Sequence, residues 1–132
     1  MKKIGLFKVN GDSLIIHKDN LDAAVREITN KGCEWLSDEC WMGCFASLNR
    51  VGTMLTISIV VSRLAESDED IVNPEDECHI VDFSADLFKD MDAKGYLTFK
   101  MNLVQSMPLG EGHRYETVEE SLCECFGLSM AS

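Results

Sequence analysis

CEWLSDECWMGCFASLNR, residues 33–50, holds three of the six cysteines in this 132-residue chain. Whether it is a metal site, a disulfide frame or a buried helix decides the fold. Placed on a helical wheel at ~100° per residue, Cys40, Trp41, Cys44, Phe45 and Leu48 share one arc, and Glu39, Ala46, Asn49 and Arg50 fall outside it. Ser37 stands where an N-cap is wanted and Gly52 where a helix stops. The stretch is therefore expected to form a helix from Ser37, with Cys40 and Cys44 as small buried hydrophobes and Trp41 and Phe45 in the core.

Zinc fits the stretch poorly. Structural zinc sites are built from paired C-x₂₋₄-C knuckles on turns, and the chain has no C-x-x-C; only Cys40 and Cys44 fall in that range. Cys78-His79 would point to opposite faces of a strand, and Cys123 and Cys125 would diverge on a helix. No metal and no cofactor is expected. Nor are disulfides: a domain of this length buries enough surface to do without them, and cytosolic thiols stay reduced.

Working outward, KIGLFKV and DSLIIH flank Asn10-Gly11, the signature of a tight hairpin turn. DNLDAAVREITNKG puts Leu21, Ala24, Val25 and Ile28 on one helical face, capped by Asp19 or Asn20 and stopped by Gly32. TMLTISIVVSRL alternates, with Leu55, Ile57, Ile59 and Val61 inward. CHIVDF is a short strand. SADLFKDMDAKG is expected as a brief helix from Ser84 to Gly95, and YLTFKMNLV as a strand with Leu97, Phe99, Met101 and Leu103 inward. Thr117 and Glu120 form a capping box before a last helix with Val118, Leu122 and Cys125 or Phe126 on its buried side. The pattern predicts one α+β domain over residues 1–132. Its sheet is antiparallel or mixed, of about five strands beginning with a β-hairpin, with three or four helices mainly on one face.

Enzyme chemistry finds little support. Cys78 and His79 face apart on a strand and cannot form a nucleophile–base pair. The loop LGEGHRYE lacks the third glycine and the Lys-Ser or Lys-Thr of a phosphate-binding loop. His113 in that loop is the one candidate for a small enzyme or ligand-binding domain, the alternative reading. His17 has no carboxylate partner in the local pattern. SDEDIVNPEDE, residues 67–77, breaks the EF-hand register at Val72 and Asn73.

The charge balance carries the functional expectation. With 23 acidic against 12 basic residues the formal net charge is −11, so direct binding to nucleic acid is excluded as a function class, whereas a basic protein surface would be attracted and steered. The N-terminus has no leader-type apolar run, and no segment approaches the ~18 apolar residues of a membrane span; a cytoplasmic, non-membrane protein is expected. Glu66, Asp68, Glu69, Asp70, Glu75, Asp76 and Glu77 crowd around Asn73-Pro74, a turn signal. Asp82, Asp86 and Asp90 recur every four residues, so on a helix Asp86 and Asp90 would repel each other on one face. Glu116, Glu119, Glu120 and Glu124 form a further group. These residues point to a non-catalytic interaction domain, compatible with a homodimer, whose carboxylates stand in for phosphates at a basic, nucleic-acid-binding type of site. Its physical type is that of an immunity protein or a phage-encoded anti-defence inhibitor.

Overall fold

The structure, a computed structural model, describes residues 2–4, 6–39, 42–63 and 78–129. Strands β1 (Lys2–Ile4), β2 (Phe7–Asn10) and β3 (Ser13–His17) are followed by helix α1 (Leu21–Glu39). Strands β4 (Met42–Val51), β5 (Met54–Arg63), β6 (Cys78–Asp86) and β7 (Tyr96–Leu103) come next, and helix α2 (Val118–Phe126) last. The strands form one sheet in the order β1-β2-β3-β7-β6-β5-β4, every neighbouring pair antiparallel. Six strands make its body, and the three-residue β1 extends one edge.

This corrects the expected architecture. The sheet is larger than five strands and has no parallel pair, and among the described residues there are two α-helices, not three or four. The decisive change is at residues 33–50. Cys33 to Glu39 complete α1, and from Met42 the chain is strand β4. Cys44 and Leu48 do share a face, but Ala46 between them is 2% exposed and Phe45 is 59% exposed, the period of a strand. Cys40 and Trp41 lie outside the described residues.

Gly32 does not stop α1. The buried stripe Ala24, Val25, Ile28 runs on through Gly32 to Leu36, the i, i+4, i+8 recurrence of one helical face. A Cβ on Gly32 would lie 2.8 Å from Cys44 Sγ and 3.4 Å from the Phe126 ring, so the missing side chain lets α1 close on β4 and α2 at one point. Trp35 Nε1 donates to Ser121 Oγ at 2.9 Å, joining the two helices. Phe126 meets Phe7 edge to face, 6.1 Å between centroids, and ties α2 to β2.

Alternation sets the rest of the sheet. Phe7 and Val9, Leu14 and Ile16, Leu55, Ile57, Ile59 and Val61, and Leu97 and Phe99 are buried against the helices. Met101 is only partly buried and Leu103 is exposed, so the inward run of β7 fades at its end. In the β2–β3 hairpin Asn10 pairs with Ser13, which makes Gly11-Asp12 the loop, one residue later than expected, with Gly11 at φ +63°. A 3-10 turn, Lys18–Asn20, precedes α1, and its cap is His17, whose Nδ1 accepts from the Asp19 N–H at 3.1 Å. One half of the expected capping box of α2 is present: Thr117 Oγ1 accepts from the Glu120 N–H at 3.3 Å, while Glu120 Oε2 takes the N–H of Glu116 in place of that of Thr117; Gly127 at φ +73° closes the helix.

Candidate interaction face

The helices and the core lie on one side of the sheet. The outward residues of β4 to β7, which alternate with the core residues, are partly or fully exposed on the other side, the open face. In register across it run Ser47, Ser58, Asp82 and Asn102 in one row, and Asn49, Thr56, Ser84 and Lys100 in the next. These two rows are hydroxyl- and amide-rich, and the apolar Phe45, Val51 and Met54 are exposed to either side of them.

A β-bulge builds its most distinctive feature. Ile59 pairs with Val81 and Val60 with His79, leaving Ile80 as the extra residue, so that Ile80 and Val81 are both buried in succession. The bulge reverses the parity of the strand. It brings His79 onto the face of Asp82, and His79 Nε2 meets Asp82 Oδ1 at 2.5 Å. Alternation without a bulge sets residues three apart on opposite faces, and for that reason sequence reasoning missed the pair. Cys78 shares the register of buried Val61 on the inner side; it and His79 do face apart.

Asp86 and Asp90 are close together, though not on a helix. β6 runs to Asp86, and residues 87–95 turn instead of forming the expected helix. Asp86 Oδ1 accepts from the N–H groups of Phe88 and Lys89 at 2.8 and 3.1 Å, and its Oδ2 from the Thr53 hydroxyl at 3.1 Å. Asp90 Oδ2 takes the Asp86 N–H at 2.7 Å while the Asp90 N–H returns to Asp86 O at 2.9 Å. These donors stabilise the ionised carboxylate, so Asp86 is more acidic than usual, the Phe88 N–H being the largest cause. Asp92, not singled out from sequence, behaves alike: its Oδ1 accepts from the N–H groups of Tyr96 and Lys94, both at 2.9 Å, and its pKa is lowered, chiefly by Tyr96. The expected like-charge stripe is instead a turn stitched by backbone donors.

The α2 glutamates also divide. Glu119 is buried and its Oε2 accepts from the Met107 N–H at 3.1 Å, and Glu120 Oε2 accepts from the Glu116 N–H at 3.1 Å. Both carboxylates are used in pinning the loop before the helix. Of the expected partner-binding residues, Glu66, Asp68, Glu69, Asp70, Glu75, Asp76 and Glu77 lie outside the described residues. On either side of that segment β5 ends at Arg63 and β6 begins at Cys78, where Val61 pairs with Cys78.

Burial pushes the Cys44 thiol up to about 12, with the Cys33 and Cys125 thiols adding to it. Burial likewise raises Cys123 to about 11, helped by Glu119 and Glu120. Almost no thiolate forms at neutral pH, so these are poor nucleophiles. His17 spends both ring nitrogens locally, Nδ1 on the Asp19 N–H and Nε2 on Lys94 O at 2.9 Å; the Asp19 carboxylate lies 3.6 Å from the same Nδ1, a proximity the sequence pattern did not suggest. Among the described residues no side chain hydrogen-bonds His113, and no three His, Cys, Asp or Glu side chains converge to hold a metal. No described helix is long and apolar enough to cross a membrane. No protein-family model, curated protein or solved structure matches the chain.

Proposed function

We propose that this protein is a non-catalytic, acidic interaction domain acting in the cytoplasm, and that it occupies a basic site of the nucleic-acid-binding type on a partner protein. Its carboxylates take the place of phosphates, as an anti-defence inhibitor or immunity protein requires. The observation that carries the reading is the placement of charge around β6. Asp82 and the pinned Asp86 stand on the open face, and the segment with seven acidic residues between Glu66 and Glu77 enters the same strand at Cys78. A fixed sheet face with few cations and an adjoining acidic segment would steer a basic partner and let it dock without reordering the core.

The test is association kinetics against the partner captured from the native host. Reversing Asp68, Glu69, Asp70, Glu75, Asp76 and Glu77 to lysine is expected to abolish binding while leaving the fold intact. Wild-type association should slow steeply as the Debye length falls from ~10 Å at 0.1 M salt to ~3 Å at 1 M. Salt-independent rates together with normal binding by the reversed variant would reduce the acidity to a solubility feature.

A further inference from the structure

Strand β4 ends the sheet on one side and, beyond Ala46, where α1 covers its edge, it lacks several of the devices that keep an edge strand from pairing. It is ten residues long, contains no lysine or proline, and its one charge is Arg50. In an antiparallel ladder, alternate residues turn their N–H and C=O away from the neighbouring strand. Ala46 belongs to that outward set, because Thr29 Oγ1 of α1 accepts from its N–H at 2.9 Å and donates to its C=O at 3.3 Å. Leu48 and Arg50, two and four residues on, are outward as well, and among the described residues no hydrogen bond reaches their outward backbone groups. Beside this open half lies a groove of about 490 Å³ between α1 and β4, lined by Asp22, Val25, Arg26 and Leu48 among others.

We propose that β4 pairs with β4 of a second copy of this chain, antiparallel about a two-fold axis at Asn49, so that the two sheets run on as one. The open length suits this occupant. Thr29 blocks the edge at Ala46, and β4 itself turns away at Gly52, φ +62°. Setting Leu48 against Arg50 of the second copy, and Arg50 against its Leu48, satisfies every open outward group, and the incoming strand reaches its own turn opposite the blocked residue. The register is self-complementary: Asn49 faces Asn49, an amide that both donates and accepts. Val51, 73% exposed, is laid against Ser47 of the other copy. Arg50 of the second copy, opposite Leu48, projects on the helix side, where Asp22 and Arg26 line the groove with charges of both signs. The contact is short, so the expected dimer is weak.

Two measurements test it. Sedimentation velocity from micromolar to millimolar protein should show the wild type passing to a dimer and N49K, which sets like charges on the axis, remaining a monomer. Under oxidised glutathione, N49C should give a disulfide-linked dimer several-fold above the wild-type background. Directly opposed residues of a non-hydrogen-bonded pair have Cα atoms ~4.5 Å apart, within disulfide reach. S47C should not, because its symmetry mate is four residues along the strand, ~13 Å away. A wild type monomeric throughout, or N49C linking no more than S47C, overturns the proposal; folding of each exposed-site variant is checked by circular dichroism.

Discussion

Gly32 sits inside α1 and carries a packing contact by having no side chain. Replacing it with alanine sets two effects against each other. Helix propensity gains ~1 kcal/mol, while a Cβ 2.8 Å from the buried Cys44 Sγ forces strand or helix apart, overpacking that typically costs ~1–3 kcal/mol. Because Cys44 is a short, buried side chain with little room to turn away, the second effect should win, and G32A is expected to lower stability by ~1 kcal/mol in a denaturant melt. A stabilised variant would mean that α1 can slide off β4. From sequence, a glycine after an apolar run reads as a stop, and only Leu36, eight residues beyond Ile28, signals that the stripe continues. Phe45 shows the other limit of single residues. Its hydrophobicity suggested the core, yet it stands on the open face, so F45A should shift the same melt by less than ~1 kcal/mol.

Elements were legible where their period was unambiguous and misread where it was not. β5 alternates over its whole length and α2 carries its cap in plain view, and both are found as expected. Residues spaced by four share a face on a helix and on a strand alike, so Cys40, Cys44 and Leu48 could not discriminate; buried Ala46 and exposed Phe45 do. The same spacing misled at Asp86 and Asp90, where the backbone donors of a turn neutralise what a helix would leave in repulsion. At the candidate site Asp82 was legible as a candidate, but its pairing with His79 depends on a bulge that leaves no mark in the sequence. The turn makes a pH prediction. The pKa of Asp86 and of Asp92 is lower folded than the ordinary 3.8, so their contribution is present above the unfolded value and lost as pH falls through the folded one. Stability measured from pH 6 down to pH 2 should decline on that acid limb, and D86A, already without the Phe88, Lys89 and Thr53 bonds, should be less stable at pH 6 and decline less steeply. An unchanged slope would show that Asp86 keeps these donors equally well in the unfolded chain.

For the whole molecule, the formal charge of −11 acts on folding and on association with opposite signs of salt dependence. The close acid–base contacts among the described residues are His17–Asp19 and His79–Asp82, ion pairs only when the histidine is protonated, and no described lysine or arginine forms a salt bridge with a described carboxylate. Among the described residues salt therefore has little close pairing to screen, while the chain as a whole has a large excess of like charge to relieve. Raising ionic strength from 0.01 to 0.15 M, which shortens the Debye length from ~30 to ~8 Å, is expected to stabilise the fold by about 1 kcal/mol, or roughly 4 °C in Tm for a domain of this size. Differential scanning calorimetry in sodium chloride checks it, with sodium sulfate at equal ionic strength to separate screening from surface exclusion, which strengthens apolar burial. Over the same range, association with a basic partner should weaken, because there the screened force is attraction. A Tm that falls with salt would mean that ion pairs in the native state outweigh the repulsion. The excess carboxylates would then be serving the fold, and the case for an external basic partner would lose its physical ground.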